Sequence, residues 1–256
     1  SIDVDLGEFA LFASDSIVVR AEATVQPWAA SPATSRGDPV RVATATGGVG
    51  QVQVNDAAAI VSGVEFAPGS RASNSGPLPV ASLPDTVAVP LPAPPMDLHE
   101  ASLLTETVGR VEQDARINEL ELSAGAVLEL ASDASLLVEG DLIIRSGALL
   151  RVVGDSHLVV EGELDVNDGS IEIEPEASLV VHVGGDLDLR HASVLEPGGN
   201  AESWVSELDR VKFVSLQVRE TMPRWRIRGR SVVKAECYAP TVDFKLQGRA
   251  TLVGRV

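Results

Sequence analysis

Gly125, Gly147 and Gly169 stand 22 residues apart (147−125 and 169−147), and Gly140 and Gly162 repeat that interval. The text between them recurs as well. Leu136-Leu137-Val138-Glu139-Gly140-Asp141-Leu142-Ile143-Ile144 returns as Leu158-Val159-Val160-Glu161-Gly162-Glu163-Leu164-Asp165-Val166. It returns again, loosened by an insertion, as Leu179-Val180-Val181-His182-Val183-Gly184-Gly185-Asp186-Leu187-Asp188-Leu189. A fixed period of this size means one structural unit per repeat, each burying its apolar face against the next. Within a period the runs are short, alternating and rich in β-branched residues, with glycine or polar punctuation, so the unit is made of strands. The expected fold is all-β, a parallel β-helix (β-solenoid) with about 22 residues per coil.

A solenoid core grows along its axis, so 256 residues suit one domain, 1–256, rather than two. Within it, strand text fills 1–67, where Leu11-Phe12-Ala13 and Ile17-Val18-Val19 flank the polar corner Ser14-Asp15-Ser16. Eight prolines between Pro68 and Pro95 make 68–98 an extended linker or a strap along the solenoid. Leu103, Leu104, Val108 and Val111 recur at roughly helical spacing, which predicts a short helix over 99–116. The main coils then occupy 117–256, with the repeats running to Val194 and ended by the corner Pro197-Gly198-Gly199-Asn200, after which further strand text follows.

Composition narrows function more than fold. A formal net charge of −17 argues against a nucleic-acid partner, because neutralising phosphates needs clustered Lys and Arg. Aromatic content of 4% leaves few platforms for stacking sugars or bases. One cysteine permits neither a disulfide framework nor a thiolate metal cluster. No run is long enough for a membrane span. The chain starts at Ser1 rather than Met, as a processed or excised portion would, and it stops within the strand text of Arg249 to Val256. A solenoid end of that kind exposes unpaired edges and invites association, so either further residues or a neighbour should cover it.

Acidic residues recur at matched points, Glu139 with Glu161 and Asp141 with Glu163 and Asp186, and would stack in columns. Such columns hold a divalent cation such as calcium or pair carboxylates for glycan cleavage, but solvated charge beside a turn is what any coil would carry. On this balance no resident cofactor is expected. His99, His157, His182 and His191 form no ligand or triad spacing and read as surface or turn residues. Cys237 reads as a small buried hydrophobe. The glycine pairs Gly47-Gly48, Gly184-Gly185 and Gly198-Gly199 lack the lysine and hydroxyl of a phosphate loop and read as corners with positive φ. The sign of the charge changes late in the chain, at Arg210, Lys212, Arg219, Arg224, Arg226, Arg228 and Arg230. These are candidates for an assembly contact on the acidic columns of a neighbouring copy, with pairing inside the chain as the alternative.

Two stretches carry a family resemblance: Phe9-Ala10-Leu11-Phe12-Ala13-Ser14-Asp15-Ser16-Ile17, and Ala235-Glu236-Cys237-Tyr238-Ala239-Pro240 running on to Gly248. Flanking coils of this type, they resemble an uncharacterised β-solenoid domain of prokaryotic surface proteins associated with PilX-like type IV pilus-assembly proteins. The resemblance implies an extracellular or cell-surface location and supplies no catalytic residues. Together these readings favour a non-enzymatic structural protein, self-assembling through its solenoid ends as a subunit or decoration of a surface filament or pilus-like appendage, with adhesion as one use. Two alternatives stand: a glycan-active β-helix, lyase or hydrolase, and an intracellular polymer resembling bactofilins.

Overall fold

The computed structural model describes residues 9–13, 16–20, 22–27, 41–44, 49–54, 59–60, 64–66, 71–74, 80–82, 98–104, 109–195, 210–216, 222–239 and 242–254. They build a parallel β-solenoid with three sheets of nine strands each. One turn of the coil visits the three sheets in succession. Ser135–Val138 lies in the first, Leu142–Arg145 in the second and Leu149–Val152 in the third, and Ser156–Val160 then returns to the first.

Register explains the 22-residue echo. Leu142 pairs with Leu164 (164−142 = 22) and Leu164 with Leu187 (187−164 = 23), so like residues stack. Leu142, Leu164 and Leu187 point inward, as do Leu136, Leu158 and Val181, and all are buried. Their columns merge into one continuous core cluster. The stacking does not end after Val194 but continues with altered spacing: Leu187 pairs with Trp225 (225−187 = 38), and Arg226 with Lys245 (245−226 = 19). Larger side chains then replace the aliphatics, with Phe213, Trp225 and Phe244 fully buried in the later coils.

Two expectations are corrected. The helix over 99–116 does not form among the described residues. A single 3-10 turn, Leu98–Glu100, gives way to the strands Ser102–Leu103, Arg110–Val111 and Ala115–Ile117. The helical spacing of its leucines loses to tertiary demand, since Ser102 and Leu103 extend an existing sheet and Leu104 packs against the core cluster. Nor is the strand after Arg249 a bare end. Thr251–Gly254 pairs in parallel with Thr24–Pro27, Asp243–Leu246 with Ser16–Val19, and Glu236–Ala239 with Phe9–Ala13.

The order of coils along the axis is therefore not the order of the chain. It runs from 102 to 254 and continues with 9–27, 41–60 and the strands up to Ser82. The strap or linker reading of 68–98 lies mostly outside the described residues. Its described parts are Arg71–Asn74, Val80–Ser82 and Leu98. Among the described residues no helix is long and apolar enough to cross a membrane.

Candidate functional site

The matched acids meet where each coil turns from the first sheet into the second. Backbone stacks on backbone at this corner: the Gly162 N–H donates to the Gly140 carbonyl at 2.9 Å, and the Gly185 N–H to the Gly162 carbonyl at 2.8 Å. A Cβ on Gly162 would lie 2.5 Å from the Gly140 oxygen, and one on Gly185 2.5 Å from the Gly162 oxygen. Close approach therefore requires these glycines. Positive φ, expected at Gly184-Gly185, is found instead at Gly125 and Gly147. The pairs Gly47-Gly48 and Gly198-Gly199 lie outside the described residues.

With the corners pressed together, a carboxylate on one coil reaches the amides of the next. Asp141 Oδ1 accepts the Glu163 N–H at 2.7 Å, and Asp186 Oδ1 accepts the Arg224 N–H at 2.8 Å. Asp114 does the same for Ser135 at 3.0 Å. Beside this column, Asp165 and Asp188 are register partners on the outer face of the second sheet. Burial, then Asp186, Asp165, Asp141 and Asp188, hold the Glu163 carboxyl above its ordinary range. Asp165 is also raised, first by burial and then by Asp188, against the pull of Arg145, Arg228 and Arg190.

The basic run divides between two sheets and lies against these acids. Arg228 grips Asp188 with two nitrogens, Nε at 2.7 Å and a shorter contact from Nη2. Arg224 Nε is 3.6 Å from Asp186, and Lys212 Nζ is 3.3 Å from Glu236. Arg226 is the register partner of both Asp188 and Lys245. Arg210 is buried before the strand Val211–Ser215, Arg230 is exposed at a turn, and Arg219 lies outside the described residues. Earlier coils repeat the pattern, with Arg116 on Glu139 at 2.8 Å and Arg151 3.7 Å from both Glu172 and Glu174. Lys212, Arg224 and Arg228 of the predicted contact residues thus have acid partners on their own chain, in the coils next to them.

The histidine reading needs one correction. His99 is exposed, 3.2 Å from Glu161, and His191 is exposed at a turn, but His182 is buried. It sits on the outward side of the first sheet, in a register column with Val159 and Val214. Leu137 and Val159 of that face are closed over by Leu98, in a cluster with Leu216. Neither ring nitrogen of His182 has a hydrogen-bond partner, and His157 lies beside it with ring centroids 6.3 Å apart. Burial, then His157, pushes His182 down to about 4. A signal was present in the sequence. Leu136-Leu137-Val138 and Leu158-Val159-Val160 break strict alternation, which marks strands covered on both faces. Cys237 is buried as expected, its thiol pushed up to about 12 by burial and Glu236. Among the described residues no three His, Cys, Asp or Glu side chains are placed to share a metal ion.

Residues 109–256 match a family described as a domain of unknown function (DUF7305). No curated protein and no solved structure matches the chain.

Proposed function

Since the chain belongs to the DUF7305 family, whose function is unknown, the reading must come from construction, and we propose that it is a rigid structural protein of the cell surface. In this reading it is extracellular and non-enzymatic, and forms or decorates a filament or pilus-like appendage. The observation that carries it is the use to which the polar columns are put. Asp141 and Asp186 hold the next coil's amides, and Glu139, Asp188 and Glu236 hold the next or preceding coil's cations. Chemistry that would serve a reaction elsewhere is here consumed in fastening coil to coil, which stiffens a rod.

Contact between copies would run through the terminal strands of the stack. These are Ser102–Leu103, Arg110–Val111 and Leu120–Leu122 at one end, and Ala59–Ile60, Arg71–Asn74 and the pair Val64–Phe66 with Val80–Ser82, which packs beyond Arg41–Thr44, at the other. End-on addition there extends the ladders, and a heterologous contact that does not close gives a filament. The remaining cations, Arg219, Arg226 and Arg230 among them, would add charge complementarity to acids of a second copy.

Electron microscopy in native salt tests this reading. Ordered filaments are expected, and strictly monodisperse particles at high concentration would overturn assembly. Labelling of intact, unpermeabilised cells tests the location, with signal expected without permeabilisation. A glycan-active reading draws on one specific observation, the raised carboxyls of Glu163 and Asp165 among further acids. Cleavage of an acidic polysaccharide, lost in Glu163→Gln, would favour it over the structural one.

A further inference from the structure

The seam between the coil 236–254 and the coil 9–27 differs from the coil junctions between Ala115 and Gly254, where coils adjacent in the stack are also consecutive in the sequence. Here the two coils come from opposite ends of the sequence. The contacts are nevertheless those of the interior. Leu11 pairs with Cys237, Ile17 with Phe244, Val19 with Leu246 and Val25 with Leu252. Ile17, Val19 and Ala23 join the same buried cluster as Phe244, Leu246 and Leu252. The Arg20 N–H donates to the Leu246 carbonyl at 2.8 Å, and Arg249 Nε donates to Glu22 Oε2 at 2.5 Å.

Nothing in these contacts depends on both coils belonging to one chain. An identical coil from a second copy would satisfy every ladder and every core position, which is the condition for domain swapping. The link is also long enough. Val80–Ser82 and the 3-10 turn at Leu98–Glu100 lie beside strands eight spacings apart in the stack, about 38 Å at ~4.8 Å each. Sixteen Cα steps join Ser82 to Leu98 (98−82 = 16), a reach of up to about 55 Å. The surplus admits a docking coil displaced sideways onto an adjacent copy.

We infer that this seam is exchangeable: the face of coil 236–254 that the chain's own 9–27 coil covers is a docking surface that the 9–27 coil of a second copy of the same chain can take in its place. Donation of strands from copy to copy gives a reciprocal dimer when it closes and a chain of subunits when it does not. The inference deepens the assembly reading by giving it a route, but it stands on the seam alone.

Single-cysteine variants test it. Val18 and Lys245 are register partners across the seam, on adjacent parallel strands, so their Cα separation of about 4.8 Å falls within disulfide range. In a Cys237→Ala background, a Val18→Cys chain and a Lys245→Cys chain carrying different tags are co-expressed and oxidised. The expected product is a disulfide-linked heterodimer whose fraction rises with concentration, and which neither variant gives alone. A double variant, Val18→Cys with Lys245→Cys, reports the closed form as an intrachain cross-link. Complete intrachain cross-linking in the double variant, with no heterodimer from the mixed single variants at any concentration, overturns exchange. Failure of the double variant to cross-link in either way removes the seam itself and overturns it too. Heterodimer without filaments in the microscope would keep the exchange and sink the filament reading, so the two fail separately.

Discussion

Replacing His182 with leucine should change how the stability of this protein depends on pH, by an amount the structure sets. His182 is 3% exposed, both its ring nitrogens lack partners, and its register neighbours Val159 and Val214 are apolar. Its pKa lies at about 4 in the fold against an ordinary 6.5. A depressed value means that the unfolded chain takes up the proton first. The fold therefore carries no penalty above pH 6.5 and is destabilised as pH falls from there towards 4. Between pH 7.5 and 4.5 the loss from this one group is roughly 2–3 kcal/mol. Glu163 and Asp165 work the other way, because raised carboxyls gain protons in the fold and relieve their repulsion on acidification. That contribution is common to wild type and variant and cancels in their difference. His182→Leu should also gain about 1–2 kcal/mol at pH 7.5 by removing two unpaired buried nitrogens. Urea unfolding of both proteins, followed by far-UV circular dichroism and by the emission of the buried Trp225, reads the effect at each pH. The advantage of the variant should widen from about 1–2 to about 4 kcal/mol between pH 7.5 and 4.5. Parallel pH profiles, or a His182 resonance titrating near 6.5, would show that the ring is not sealed beneath that face and refute the reasoning.

The corner and the acid column yield two further expectations. Gly162→Ala places a Cβ 2.5 Å from the fixed Gly140 carbonyl and should cost roughly 2–4 kcal/mol. Gly147→Ala meets nothing within 4 Å, and its φ of +75° should cost only about 1–2 kcal/mol. Equal losses of thermal stability in the two variants would contradict the claim that backbone approach, rather than φ, fixes the glycine at the corner. Arg228→Met removes a cation that lowers Asp165, and with it the Nε and Nη2 hydrogen bonds to Asp188. The carboxyl of Asp165 should then titrate still higher by NMR, with a stability loss of under about 1.5 kcal/mol because the Arg228 side chain is 38% exposed. An unmoved Asp165 would show that the pull opposing burial and Asp188 comes from Arg145 and Arg190 rather than from Arg228.

What could be read in the residues followed how locally each feature is encoded. The coil is legible because its period is written in neighbouring text: Leu142, Leu164 and Leu187 stack because each lies one turn beyond the last. The helix misread over 99–116 came from the same kind of local pattern. Leu103 and Leu104 satisfy a helical spacing, while the partners that extend Ser102 and Leu103 into a sheet, Ala115 and Arg116, lie beyond a helical window. For the acids, the columns were visible as matched positions, but their occupation was not. That Asp141 serves the Glu163 amide depends on how closely Gly140 and Gly162 let the corners approach. The buried His182 was hidden for a related reason. An outward position is exposed in a bare coil, and only Leu98 and its surroundings make this face an interior.

The seam was the least legible feature and has the largest consequence. Strand text at both termini read as two ends, and periodicity carries no record of which end lies beside which. What determines the answer is complementarity between residues more than 200 apart, such as Ile17 with Phe244 and Glu22 with Arg249. An end that would otherwise present three open strand edges is thereby covered by the chain itself, one of the ways a β-protein holds off uncontrolled growth. The cover is made of the same coil geometry that growth would use. Coils 9–27 and 41–60 meet 236–254 through noncovalent ladders and can leave together, whereas a coil between Ala115 and Gly254 cannot leave without dragging its neighbours in sequence. Any control over assembly in this fold therefore belongs at coil 9–27 and its bed on 236–254 rather than along the regular repeats.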